Sequence, residues 1–300
     1  MATKLAFTNL DVFTSTRFLG NPLAIVRIPS DLEGGLTQSQ KQIIAREFNF
    51  SETVFLHETS DADSPVTIDI FTPTRELPFA GHPTVGSGWY LLSRNPTRES
   101  VTLRTKAGNI PVVKADGGKV RIEVPTDFKV HASHPLPEFK AQQTRLSGSD
   151  YIFGADGAEP VVSIVKGMTF YLVEVASEDA LSRLQLTSQQ FELSDSHLGE
   201  WQGFVGLYAF YQTKDGVVRT RLFSDGIEDP ATGSAASTLG GWLAQKRGEG
   251  SHQISIVQGV EMGRRSEIEV SVDIGSDKKI QKIQLAGGAV EVMEGTVFSQ

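Results

Sequence analysis

The chain has 300 residues, 39% of them hydrophobic, so it can bury a substantial core and we expect two domains of ordinary size. Its net charge of −8 argues against a nucleic-acid partner. The first residues lack the apolar run of a signal peptide, and no apolar stretch is long enough to predict a membrane span. We therefore expect a cytoplasmic protein that binds neither nucleic acid nor membrane.

The sequence contains no cysteine. This excludes a disulfide framework, a thiolate metal site and a cysteine nucleophile, and with them racemisation by two thiols. If the protein moves protons, carboxylates, histidine, lysine or tyrosine must do so.

The first half of the chain is rich in short β-strands. Alternating and continuous apolar runs predict strands over 5–13, 24–28, 53–56, 66–71, 101–105, 110–113 and 120–124. Helical periodicity predicts a helix over 37–48, and an uncharged segment over 83–93 predicts a second.

The second half repeats this order of elements after a proline-rich linker over 125–138. Strands near 160–166, 169–175, 205–211 and 217–223 precede an uncharged helix over 230–245, and four short strands finish the chain. Mostly antiparallel strands with few helices predict an α+β fold. We predict domains at 1–124 and 137–282, and residues 283–300 are free to pair back with the first.

Two segments at the starts of the uncharged helices resemble each other. Residues 82–87 and 229–234 both read polar residue, Pro, two residues, Gly, Ser, with an offset of 147 residues. Proline suits the first turn of a helix and a polar residue suits its N-cap. A helix without charge on any face must be buried, so we expect each half to wrap its sheet around one central helix. The start of such a helix suits a carboxylate or a developing anion.

The glycines near these helices do not form a nucleotide site. Gly86 and Gly88 lack the third glycine of a dinucleotide-binding motif, and Gly233 lacks the lysine of a P-loop. We expect the glycines to let strands pack closely against the buried helices.

Three side chains are candidates for proton chemistry. Glu52 precedes the apolar run 53–56, where burial would raise its pKa and suit it to acid/base work; the alternative is an exposed turn glutamate. His82 and Asp229 lie at the predicted helix starts, where N-capping is an alternative to catalysis. For Ser87 and Ser234, packing is the favoured role.

The remaining histidines receive no role from the sequence. His131 and His134 have a spacing that suits a metal on a helix, but they fall in the linker without a third ligand. We therefore predict no metal site. His57, His197 and His252 are isolated in the sequence.

Several motifs together resemble those of a known family. In order along the chain they are Asp11-Val-Phe-Thr, Gly20-Asn-Pro, Asn49-Phe-Ser-Glu-Thr, Phe71-Thr-Pro with Pro78-Phe-Ala-Gly-His82, and Glu228-Asp-Pro-Ala-Thr-Gly-Ser-Ala235. This set is similar to that of the PhzF family, the phenazine-biosynthesis isomerase-like proteins with the diaminopimelate-epimerase fold. Pro83 departs from the family, which commonly has alanine there.

The resemblance implies two similar domains, each a barrel-like sheet around a central helix, with the active site in the cleft between them. It also implies a homodimer and no cofactor. It assigns proton shuttling to Glu52 and catalytic roles to His82 and Asp229. Gly81 and Ser234 would line the substrate pocket, and the helix N–H groups near Gly81 and Gly233 would bind the substrate's carboxylate.

The predicted function is a cofactor-independent isomerase that shifts a proton on a small unsaturated carboxylic acid, similar to trans-2,3-dihydro-3-hydroxyanthranilate isomerase. Two alternatives stay open at this point: a metabolite-binding or interaction protein on the same fold, and an epimerase that uses carboxylates.

Overall fold

The computed structural model describes residues 3–32, 35–61 and 64–299, so the outermost ends of the predicted domains, at residues 1 and 300, lie outside the described residues. Its first elements are β1 Lys4–Val12, β2 Asn21–Ile28, α1 Gln38–Phe48, β3 Thr53–His57, β4 Val66–Phe71, β5 Glu76–Leu77, α2 Gly81–Ser93, β6 Ser100–Thr105, β7 Gly108–Ala115 and β8 Lys119–Glu123. The later elements are β9 Lys129–Val130, β10 His134–Pro135, α3 Pro137–Gln142, β11 Ala158–Glu159, β12 Val161–Val165, β13 Met168–Glu174, α4 Glu178–Arg183, α5 Asp195–Leu198, β14 Phe204–Gln212, β15 Val218–Ser224, β16 Ile227–Asp229, α6 Gly233–Arg247, β17 Gly250–Gln258, β18 Ser266–Ile274, β19 Ile280–Gly287 and β20 Ala289–Phe298.

The chain forms two compact units. One consists of Met1–Glu123 with Leu285–Gln300, and the other of Val124–Gln284. The last strand, β20, pairs antiparallel with β1 in the first unit. The segment predicted as a linker contains β9, whose Val130 pairs with Val162 of β12, so it is built into the second unit.

The sheet of the first unit contains both antiparallel and parallel strand pairs. β1 is antiparallel to both β20 and β2, β2 is parallel to β3, and β3 is antiparallel to β4. β4 is then parallel to β6, and β6, β7 and β8 follow as antiparallel neighbours. The short strand β5 pairs with β4 just before helix α2.

The second unit repeats this topology. β12 is antiparallel to β9 and β13, β13 is parallel to β14, and β14 is antiparallel to β15. β15 is parallel to β17, which is antiparallel to β18, and the short β16 pairs with β15 just before α6. The predicted α+β architecture of two similar halves is confirmed.

Each sheet wraps around its uncharged helix. Helix α2 contacts β20, β1, β2 and β3, and also β6, β7 and β8, which a single helix can do only if the sheet curves around it. Helix α6 contacts β12, β13, β17 and β18 in the same way. Most residues of both helices are buried, as the lack of charge over 83–93 and 230–245 predicts.

The closing strands differ from their prediction as short elements. β17 and β18 have nine residues each, β19 eight and β20 ten. In β18, buried residues alternate with more exposed ones along the whole strand, so a search for short apolar runs underestimates its length. β17 pairs with β18, and β20 with β1, over nearly their full lengths, so these strands continue through their polar positions.

Glycines allow the close approach of helix and sheet, as predicted. A Cβ on Gly88 would lie 2.5 Å from Val112 Cγ1, and one on Gly86 would lie 2.5 Å from Leu23 Cδ2. In α6, a Cβ on Gly240 would lie 2.7 Å from Val270 Cγ1. These contacts fix how near each strand can come to its helix.

We expect Gly88→Ala to destabilise the protein. Alanine normally favours a helix interior by about 0.5–1 kcal/mol over glycine. Here the added Cβ would also lie 3.1 Å from Val112 Cβ, which cannot rotate away, so overpacking of about 1–3 kcal/mol should win. Urea unfolding should show a lower free energy of unfolding, and a variant as stable as the wild type would contradict this packing.

Candidate functional site

Helix α1 places Glu52 at the entrance of a buried strand. Thr37 and Gln40 form a capping box at the start of α1, and Asn49 ends it in the left-handed conformation at φ 52°. The chain then turns into β3, whose first residue, Thr53, is fully buried. Glu52 immediately precedes it, with 17% of its side chain exposed.

Glu52 is paired with His82, the second residue of α2. The imidazole Nδ1 lies 3.1 Å from Glu52 Oε2, and only 4% of the His82 side chain is exposed. A carboxylate can only accept hydrogen bonds, so Nδ1 carries the proton in this pair. His82 Nε2 is buried and has no hydrogen-bond partner within the part of the chain that the structure describes. An unsatisfied buried nitrogen of this kind is suited to a ligand.

The electrostatics of Glu52 correct one expectation. Burial raises the pKa of Glu52, but the charge of His82 and hydrogen bonds from His82 and Ser51 outweigh it and hold the pKa below the ordinary value. The prediction of a raised pKa was wrong because it considered burial without a partner. Glu52 is therefore ionised near neutral pH, and in the resting protein it can act as a base.

N-capping, the alternative role that the sequence offered for His82 and Asp229, is not observed for either residue. The N-cap of α2 is Ala80 and that of α6 is Thr232, and neither side chain accepts a capping hydrogen bond. His82 lies inside the first turn of α2, and Asp229 ends β16 before α6 begins. The first N–H groups of a helix have no partner within the helix, and both helix starts are mostly buried.

The two units correspond at an offset that the sequence repeat did not give. In the first unit Leu77 pairs with Ile70, four residues before Gly81 begins α2. In the second unit Asp229 pairs with Leu222, four residues before Gly233 begins α6. The structural equivalent of His82 is therefore Ser234, the second residue of α6, and not Asp229. The sequence motif misaligned the repeats because Pro83 and Gly86 lie inside α2, whereas Pro230 precedes α6 and Gly233 is its first residue.

Asp229 belongs to a hydrogen-bonded turn in the second unit. The Thr232 hydroxyl donates to Asp229 Oδ2, and Gln258 Nε2 donates to the Asp229 carbonyl at 2.8 Å. Asp229 and Ser234 are half-buried, and Gly233 is buried. The structure thus brings Glu52 and His82 together in the first unit and places Asp229, Gly233 and Ser234 around the start of α6 in the second.

A glutamate anchors the short strand before each buried helix. Arg221 donates to both carboxylate oxygens of Glu228 at 2.8 Å and also to the Leu184 carbonyl at 2.7 Å. The equivalent Glu76 accepts hydrogen bonds from Gln38 Nε2 and Lys106 Nζ. Bidentate and charge-assisted bonds of this kind fix the strand that leads into the helix start. Sequence reasoning missed the roles of Glu76 and Glu228 because the residues that donate to them lie in other elements or turns of the fold.

The histidine pair of the linker has protein partners. His131 Nε2 lies 2.8 Å from Ser163 Oγ, and His134 Nδ1 lies 3.0 Å from the Tyr171 hydroxyl. Among residues 3–32, 35–61 and 64–299, no three His, Asp or Glu side chains are grouped so that they could hold a metal ion. Over the same residues, no helix is both long enough and apolar enough to cross a membrane.

Known proteins resemble the chain over nearly its full length. The family described as phenazine biosynthesis-like protein, PhzC-PhzF, matches residues 10–295. The chain belongs to the PhzF family. An uncharacterized isomerase of Pasteurella multocida is 33% identical over 303 residues, which cover 99% of this chain and 96% of that protein.

A second relative carries a more specific name. The trans-2,3-dihydro-3-hydroxyanthranilate isomerase of Pseudomonas aeruginosa is 31% identical over 298 residues, 96% of this chain and 98% of that protein. A crystal structure of a PhzF-family protein from Bacillus anthracis matches with a TM-score of 0.75 and 27% identity, covering 98% of this chain and 99% of that one. Family, fold and the isomerase class of the enzyme are therefore confirmed.

Proposed function

We propose that this PhzF-family enzyme isomerises a small unsaturated carboxylic acid by moving one proton with Glu52. The observation that carries the proposal is the contact between the Glu52 carboxylate and Nδ1 of the buried His82, whose Nε2 has no partner among the described residues. An ionised carboxylate held by an imidazole is a base fixed in one position. The mostly buried surroundings limit competing exchange of the proton with water.

In the proposed reaction, Glu52 removes a proton from a carbon next to the unsaturated system of the substrate. The electron pair of the broken C–H bond moves into that system, and the double bond shifts. Glu52 then returns the proton to a different carbon on the same face, so the substrate neither gains nor loses atoms. One carboxylate that performs both steps suits a shift on one face of the molecule.

His82 supports this cycle in two ways. Its Nδ1–H holds the Glu52 carboxylate in place and favours the ionised form. Its Nε2 contacts a polar group of the substrate and steadies the charge that builds up as the proton leaves. The N–H groups near Gly81, at the start of α2, bind the carboxylate of the substrate.

The resemblance to the PhzF family extends the proposal to the second unit. Asp229 holds a polar group of the same substrate, and Gly233 and Ser234 line the pocket. As the resemblance implies, the enzyme works as a homodimer without a cofactor, and as the sequence composition predicts, it works in the cytoplasm.

The first substrate to test is trans-2,3-dihydro-3-hydroxyanthranilate, because a relative with 31% identity over nearly the full chain carries that name. The purified wild-type protein should be incubated with this and related unsaturated acids in heavy water. NMR and mass spectrometry should then show an isomerised product or deuterium in the recovered acid. Tight binding with neither conversion nor exchange would contradict the isomerase and support a metabolite-binding protein.

A further inference from the structure

The turn that carries Asp229 is fastened by a buried amide from another strand. Gln258 ends β17 and has no exposed surface. We propose that Gln258 is a positioning residue, which acts through Thr232 to fix the Asp229 carboxylate before substrate binds. The catalytic consequence of this inference rests on the proposed function. The effect of Gln258 on the stability of the turn can be tested without substrate.

All four hydrogen-bonding positions of the Gln258 amide are used. Its Oε1 accepts from the Tyr208 hydroxyl at 2.8 Å and from the Thr232 backbone N–H at 3.2 Å. Its Nε2 donates to the Asp229 carbonyl at 2.8 Å and to Thr232 Oγ1 at 3.2 Å. A backbone N–H can only donate and a carbonyl can only accept, so these partners admit one orientation of the amide.

This orientation determines the direction of the next hydrogen bond. Because Nε2 can only donate, Thr232 Oγ1 accepts from Gln258 and directs its own hydrogen to Asp229 Oδ2. The bonds from Gln258 to Thr232 and from Thr232 to Asp229 therefore run in the same direction. Hydrogen bonds that follow one another in this way polarise and strengthen each other.

Tyr208 and Gly259 both help to fix the position of Gln258. Tyr208 is fully buried, and burial raises the pKa of its hydroxyl, so the group stays protonated and donates to Gln258. The next residue, Gly259, has φ +74° and lies so close to Pro230 that a Cβ would be 2.6 Å from the Pro230 carbonyl oxygen. The chain that follows Gln258 is thus packed closely against the turn.

A carboxylate held in this way needs little rearrangement when charge develops in the substrate. Without the amide, the Thr232 hydroxyl loses its donor partner Gln258 Nε2 and can rotate, which weakens its hydrogen bond to Asp229 Oδ2. A misplacement of roughly 1 Å can reduce a rate by about 100-fold. We expect Gln258→Met, which keeps the length of the side chain but removes its donors and its oxygen acceptor, to lower kcat/KM by about 10- to 100-fold.

The test combines kinetics with amide hydrogen exchange. The matched control is Gln253→Met on the same strand, where the exposed amide oxygen accepts a hydrogen bond from Ser271 Oγ at 2.7 Å. Gln258→Met should accelerate exchange over residues 229–233, and the control should not. The double variant Asp229→Asn with Gln258→Met should lose no more activity than Asp229→Asn alone, since Gln258 acts through Asp229.

Unchanged exchange over residues 229–233, or losses that add in the double variant, would overturn the inference. Should Gln258→Met fail to fold, Thr232→Val removes the hydroxyl from a half-buried position and should lower kcat/KM without adding to Asp229→Asn. Failure of the proposed function is separate from these results, because it would show as a lack of turnover by the wild type. Whether or not the wild type turns over a substrate, the exchange measurement shows whether Gln258 stabilises residues 229–233.

Discussion

Replacing Glu52 with glutamine should abolish most of the isomerase activity while leaving the fold intact. Glutamine has nearly the same shape and can still accept a hydrogen bond from His82 Nδ1 at this site. It cannot take up a proton from carbon, so kcat should fall by about 100- to 10,000-fold, the usual contribution of a positioned acid/base. Steady-state kinetics on the wild type and the variant measure this loss.

The matched control is Glu58→Gln. Glu58 follows β3 just as Glu52 precedes it, but 43% of its side chain is exposed and Arg27 lies 3.9 Å away. This variant should keep wild-type kinetics. A Glu52→Gln enzyme with the wild-type rate, or equal losses in both variants, would remove Glu52 from the proposed reaction.

Replacing His82 with glutamine should both slow the reaction and move its pH profile. Loss of the buried imidazole that steadies charge in the transition state should lower kcat/KM by about 100- to 1,000-fold. The pKa of Glu52 should rise, because burial then acts without the charge and hydrogen bond of His82. Glu52 must be ionised to accept a proton, so activity is lost as pH falls through its pKa. The acidic limb of kcat/KM should therefore move to higher pH.

The control for this prediction is His57→Gln. His57 ends β3, its Nε2 lies 2.7 Å from Asp69 Oδ2, and it has no role in the proposed reaction. Its pH profile should match that of the wild type. An acidic limb that stays in place in His82→Gln would show that His82 does not set the ionisation of Glu52.

The features that could be predicted from sequence are those that depend on local composition. The uncharged segments near 83–93 and 230–245 became the buried helices because no face of either could lie in water. The glycines at 86 and 88 were expected to allow close packing, and the contacts with Leu23 and Val112 agree. Glu52 was expected between a helix and a buried strand, where it lies.

The features that could not be predicted depend on partners distant in sequence. The pKa of Glu52 is lowered because His82, 30 residues later in the chain, outweighs burial. The repeat was misaligned because the pattern of Pro, Gly and Ser does not mark where a helix begins. Gln258 gave no signal, since its role arises only when β17 meets the turn at Asp229.

A deuterium-transfer experiment tests the central claim most directly. The candidate acid is prepared with deuterium on the carbon that loses its proton, and a single turnover is run in ordinary water. The account predicts that part of the deuterium appears on the receiving carbon of the product, carried there by the Glu52 carboxylate. A product that holds only hydrogen from the solvent at that carbon would contradict transfer by one carboxylate.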